Sequence, residues 1–317
     1  MRLLTPFIND SGRLRSGWRL VAFILAFLAA LIALDWIVLR VDWRRYAHGD
    51  QLLDLTRRIL FLATSLCAGY LCARGLEGLP WRSLGLTLRT HWLRDLLLGS
   101  LIGFLSLCLA VVIATAAGGL SFSLSGREML WPMVRAVGGT VVLFLIAALA
   151  EEALFRGYPL QTLSRAHLAW LGVFLTSVPF ALAHLWNPNI VRGVTFANTA
   201  LAGIWLAMAY LRTRSLWFPL GVHWSWNWAL GSVFGLPVSG LTLISHPLIQ
   251  GKDHGPVWVT GGNYGIEGGI AGTVALVVST IFVWRTRLIS ADPELLKLTS
   301  EENPTGAHAA ASTENSV

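Results

Sequence analysis

The sequence predicts an all-α protein: a polytopic membrane bundle of about eight transmembrane helices. Three observations predict it. Of 317 residues, 55% are hydrophobic and only 13% are charged, whereas a soluble domain carries about 25% charged residues. The apolar residues gather in runs close to the roughly 20 residues that a bilayer core requires. Many of the 15 tryptophans stand at the ends of those runs, among them Trp18, Trp36, Trp92, Trp170, Trp217 and Trp284, as in an interfacial aromatic belt.

In chain order the predicted spans are about 17–39, 56–73, 93–117, 135–162, 168–187, 195–212, 216–235 and 269–285. The first follows Arg13, Arg15 and Arg19 and is too long for a signal-peptide core, so it reads as a retained anchor. The fourth is long because its apolar run continues through EEALFRGYPLQTL as one helix. The fifth contains Pro179, where a bend is expected. A cytoplasmic segment (1–16) precedes the membrane domain (17–290). A polar tail (291–317) has too few apolar residues to bury a core and is expected to be disordered.

Counted by loop, 15 of the 24 Lys and Arg residues fall on the side of the two termini, which predicts that both termini are cytoplasmic. The net charge of +7 is loop charge suited to anionic headgroups. The bilayer is an expected partner, and nothing points to nucleic acid. Arginine outnumbers lysine 22 to 2, a hint of a GC-rich genome, and the expected location is the bacterial cytoplasmic membrane. Cys67, Cys72 and Cys108 lie in apolar segments outside any CxxC or CxxxC arrangement. They read as small buried hydrophobes rather than a disulfide framework.

The polar residues inside apolar runs carry the functional reading. Glu151 and Glu152 are adjacent in the fourth span, where an acidic residue at mid-bilayer costs roughly 2.5–3.5 kcal/mol on insertion scales. Arg156 lies at i+4 from Glu152 and i+5 from Glu151. On a helix Glu152 and Arg156 therefore share a face, and Glu151 is turned away. Glu152 with Arg156 reads as a structural ion pair, and Glu151, lacking the cation, as a general base. Phe180 and His184 are i and i+4 in the fifth span, as are His223 and Asn227 in the seventh. Asn227 could hold one ring nitrogen of His223 or donate to a developing oxyanion.

Three such groups on three helices are hard to read as separate packing accidents. The candidate catalytic residues are Glu151, His184, His223 and Asn227, supported by Glu152, Arg156 and Phe180. Glu151, His184 and His223 also match the number and type of ligands of a catalytic zinc, although HExxH is absent. A site without a metal and a site with Zn2+ both stay open. The Gly-rich stretch TGGNYGIEGG (260–269) with Glu267 reads first as a flexible turn before the last span and second as a wall of the site. Asp35, beside Trp36, reads as interfacial, and Trp224, Trp226 and Trp228 as packing and lipid contacts.

EEALFRG, FALAH and HWSWN match EExxxR, FxxxH and HxxxN in order. This trio resembles the CPBP family: the CAAX-processing type II endopeptidases and the bacteriocin-processing or immunity proteins, also called the Abi family. The resemblance covers about 135–235. It implies an intramembrane endopeptidase of eight spans with a cavity open to the cytoplasm, acting on a membrane-associated peptide or protein, including prenylated CAAX types. It further implies that Glu151 and His184 activate water, that His223 and Asn227 stabilise the oxyanion, and that Glu152 and Arg156 hold the site together. Whether zinc is used stays open. The alternatives are a bacteriocin-processing or self-immunity protease and a non-enzymatic membrane scaffold or immunity factor. A proton-coupled transporter would also use intramembrane Glu and His, but no internal repeat or pair of broken helices supports it.

Overall fold

The computed structural model describes residues 6–9, 12–45, 49–88, 91–124, 130–190 and 193–300. The chain is a helical membrane bundle. In order it runs α1 (Ser16–Val38), α2 (Gly49–Glu77), α3 (Trp92–Ala116), β1 (Leu120–Leu124) and α4 (Leu130–Glu152), then a π turn (Ala153–Gly157) into α5 (Tyr158–Arg165). There follow α6 (Ala169–Ala183), a 3-10 turn (His184–Trp186), α7 (Val194–Thr213) and α8 (Trp217–Trp228) with a second π turn (Ala229–Val233). β2 (Ile249–Asp253), α9 (Val257–Thr260), α10 (Ile270–Arg285) and α11 (Pro293–Ser300) complete it.

Among the described residues six helices are long and apolar enough to cross a membrane, and Ile270–Arg285 is apolar but shorter. The seventh predicted span, 216–235, is a 12-residue helix extended by its π turn. The outward surface is apolar where a soluble protein would be polar: Leu25, Ile32, Val112, Phe174 and Ile281 are all exposed. Such a surface is stable against hydrocarbon and unstable against water. Two tryptophan pairs stand at helix ends, Trp92 with Trp217 at 4.9 Å and Trp170 with Trp284 at 5.9 Å between ring centroids.

The helix that carries His223 is set by glycine. A Cβ at Gly99 or Gly103 of α3 would stand 2.2 Å from the carbonyl oxygen of Phe218 or Val222 of α8. One at Gly221 of α8 would stand 2.3 Å from the carbonyl oxygen of Leu96. Gly99 and Gly103 form a GxxxG pair in an apolar helix, the pattern that lets two membrane helices touch backbone to backbone. Gly103→Val is expected to push α8 away and to destabilise the fold by about 1–3 kcal/mol or more, the usual cost of overpacking. A thermal melt in detergent that matched the parent would refute this.

A second polar hub ties the N-terminal helices to the site helix. Glu77 Oε1 accepts hydrogen bonds from Arg19 at 2.6 Å, Arg165 at 2.9 Å and Thr162 at 3.2 Å, joining α1, α2 and α5. Arg19 and Arg165 are buried, so they are not the headgroup-facing loop charges that the charge count assumed.

Pro179 lies inside α6, which continues to Ala183 and passes into a 3-10 turn at His184. Several expectations need correction. Cys67 is exposed on the bundle surface, while Cys72 is buried. The tail is not wholly without structure, since α11 packs with Leu295 and Thr299 buried. Residues 301–317 of that tail lie outside the described residues. Finally, β1 and β2 pair antiparallel, Leu120 opposite Asp253 and Leu124 opposite Ile249. This small ribbon joins two loops that the helical reading left unassigned.

Candidate active site

The site is built where α4 gives way to its π turn. The π turn begins directly after Glu152, and wide turns of this kind are frequent at functional sites. Within it Arg156 donates to Glu152 Oε1 at 3.1 Å, both side chains being fully buried. Arg156 also donates to the Gly203 carbonyl of α7 at 3.2 Å, and its guanidinium lies 4.6 Å from the ring centroid of Phe180 on α6. One arginine thus joins the site helix to α6 and α7. The further hydrogen bonds offset part of the cost of burying this pair, and Glu152 Oε2 and Arg156 Nε stay without a partner among the described residues.

Glu152 does more than hold Arg156. Its Oε1 also meets His223 Nδ1 of α8 at 2.8 Å. A carboxylate can only accept, so Nδ1 carries the proton and Nε2 is left with its lone pair or a second proton facing the site. Of the two roles open to Asn227, holding Nδ1 of His223 is therefore taken by Glu152. The i,i+4 spacing of His223 and Asn227 puts both on one face, but the bond goes to a residue 71 positions away.

Nε2 of His223 lies 3.8 Å from Glu151 Oε2. That is too long for a direct hydrogen bond and short enough for one reacting atom to touch both. Glu151 is partly exposed, yet its Oε2 is buried and accepts no hydrogen bond from the described protein groups. His184 caps α6, and its Nδ1 lies 2.7 Å from the Phe180 carbonyl. A carbonyl only accepts, so here too Nδ1 is the donor and Nε2 is the available base. Phe180 is the common floor: its ring centroid lies 4.6 Å from that of His184 and 6.1 Å from that of His223. The two histidines therefore belong to one site.

Glu151, His184 and Asn227 line a cavity of about 420 Å³ whose remaining wall is largely apolar, including Phe61, Leu143 and Phe144. Behind it, His184 and Asn227 also line a smaller cavity, which His223 faces. Glu267 lines this smaller cavity too. Its carboxylate accepts from Trp226 Nε1 at 3.0 Å, Ser239 N at 2.6 Å and Ser239 Oγ at 3.0 Å. The Gly-rich segment is therefore held in place as a wall, and its first reading as a flexible turn gives way to the second. Trp226 belongs to that wall, while Trp224 and Trp228 donate to the carbonyls of Val141 and Val137 on α4. Asp35 pairs with Arg57 at 2.8 Å and takes no part in the site.

The zinc expectation can be tested on the donors. Among the described residues no three His, Cys, Asp or Glu side chains gather in a way that could hold a metal ion. Glu151, His184 and His223 do not fit a three-ligand zinc centre in this arrangement, and no step is routed through one.

A family model described as "Type II CAAX prenyl endopeptidase Rce1-like" matches residues 133–229. This segment, about a third of the chain, is similar to the CAAX-type intramembrane proteases. The match spans the three motifs and ends two residues beyond Asn227. It agrees with the CPBP resemblance drawn from EEALFRG, FALAH and HWSWN, and with a hydrolase embedded in a lipid bilayer. No curated protein and no solved structure matches the chain.

Proposed function

We propose that the protein hydrolyses a peptide bond near the C-terminus of a lipidated or otherwise membrane-bound substrate, prenylated CAAX proteins included. Glu151 and His184 take the proton of the attacking water. Its oxygen bonds to the scissile carbonyl carbon, and the oxyanion that forms is received by Asn227 and by Nε2 of His223. The carbon–nitrogen bond then breaks as the proton passes to the leaving amine. Glu152, besides pairing with Arg156, orients the His223 ring through Nδ1.

The observation that carries this reading is the convergence of Glu151, His184 and the Asn227 amide on one largely apolar cavity, with His223 Nε2 3.8 Å from Glu151 Oε2. Glu151 Oε2 and His184 Nε2 are free to accept, and the Asn227 amide can donate. An apolar cavity excludes water and strengthens each of these polar contacts. The decisive experiment is a cleavage assay of the purified chain on prenylated and unprenylated peptides of one sequence. Cleavage favouring the prenylated peptide and lost in Glu151→Gln is expected. Equal cleavage of both peptides would remove prenyl recognition, and no cleavage of either would overturn the reading.

The Lys and Arg bias supports cytoplasmic termini. A reporter fused within the 242–256 loop is then expected to report the far side of the membrane, and a cytoplasmic signal there would reverse the orientation.

A further inference from the structure

The smaller cavity has a volume of about 40 Å³. One water needs at least about 10–15 Å³ by this measure, together with two to four polar partners. The space therefore suits about two or three waters. Its wall supplies the partners. Thr199 Oγ1 gives its proton to the Thr195 carbonyl at 2.8 Å, which leaves its lone pairs to accept. His184 Nε2 accepts for the reason given above, and the Asn227 amide donates. The far wall is anchored by the Glu267 carboxylate, and Ser239, which that carboxylate holds, lines both cavities.

The two cavities differ in character and meet at His184, Asn227 and Ser239. Glu151 lines only the larger, mostly apolar one, and His223 only the smaller one. A peptide filling the larger cavity expels the water there, yet hydrolysis consumes one water per bond cut. That water must come from a compartment the peptide does not enter.

We propose that the cavity walled by Thr199, Ser239 and Glu267 is a water-holding site that supplies the hydrolytic water to Glu151 and His184 from behind the bound substrate. The proposal rests on the peptide-hydrolysis reading and adds where the nucleophile is stored. It makes Glu267 a positioning residue, acting through Ser239 and Trp226, and gives no part to the exposed mouth of the larger cavity in delivering water.

The test narrows the cavity from a wall residue that has no part in the proposed chemistry. Ala202 of α7 lines only the smaller cavity. Ala202→Leu is expected to lower kcat on the order of tenfold or more, the rate equivalent of one lost hydrogen bond to the reacting water. KM and the melting temperature should stay near the parent's. An unchanged kcat in a folded Ala202→Leu protein would overturn the proposal, as would a raised KM with kcat intact, which would make the cavity a substrate subsite. If Leu lowers the melting temperature, Ala202→Val and the isosteric Thr199→Val decide by the same criterion. Glu151→Gln run in parallel separates the two readings. A fully active Glu151→Gln refutes the base assignment, whereas the Ala202 and Thr199 variants together report on the smaller cavity.

Discussion

Glu151→Gln is expected to yield a normally folded protein whose hydrolysis is lower by about 10²–10⁴, the usual contribution of a positioned general base. The substitution keeps the side-chain volume and leaves the buried Glu152–Arg156 pair intact. What it removes is a carboxylate oxygen that is buried without a donor among the described residues and lies 3.8 Å from His223 Nε2. Turnover on a prenylated peptide, with the melting temperature as a control, measures it. Asn227→Ala should be milder, about 10²–10³, the cost of one oxyanion donor, and should leave residual activity. Activity close to the parent's in Glu151→Gln would take that residue out of the chemistry.

Arg156→Ala should act on the fold first. It strips the cation from a fully buried carboxylate, removes the bond to the Gly203 carbonyl and takes the guanidinium from the face of Phe180. Breaking one partner out of a buried pair typically costs about 3–5 kcal/mol, against a total stability of about 5–15 kcal/mol. The monodisperse yield from detergent should therefore fall well below that of Glu151→Gln. Removing both charges, as in Arg156→Met with Glu152→Gln, should recover part of the yield, since an uncharged pair leaves no buried ion. It should not recover activity, because His223 Nδ1 then loses the carboxylate that orients it. Equal yields for Arg156→Ala and Glu151→Gln would refute the division of labour between the two acids.

Much of the architecture could be read from local pattern, because a bilayer imposes a simple rule on sequence. Apolar runs of about 20 residues with tryptophan at their ends leave little choice but membrane helices, and the predicted spans have helical counterparts from α1 to α10. The Glu152–Arg156 pair was readable for the same reason: i,i+4 spacing on a helix is local geometry. The GxxxG of Gly99 and Gly103 was present too, and marks a face of α3 for close packing without naming its partner.

The site itself was decided at long range. The sequence by itself determined which residues were available, namely two adjacent acids, two histidines, an asparagine and an arginine within apolar helices. Only the tertiary structure decided that Glu152 holds His223, that Asn227 keeps its amide for the cavity, and that Phe180 carries both imidazoles. It also turned Glu267 from a passing acid in a glycine-rich stretch into a wall held by Trp226 and Ser239. The physical reason is that a hydrogen bond between helices depends on their relative rotation and depth. Those are set by backbone contacts such as Gly103 against Val222 and Gly203 against Ser177, and no spacing within one helix encodes them.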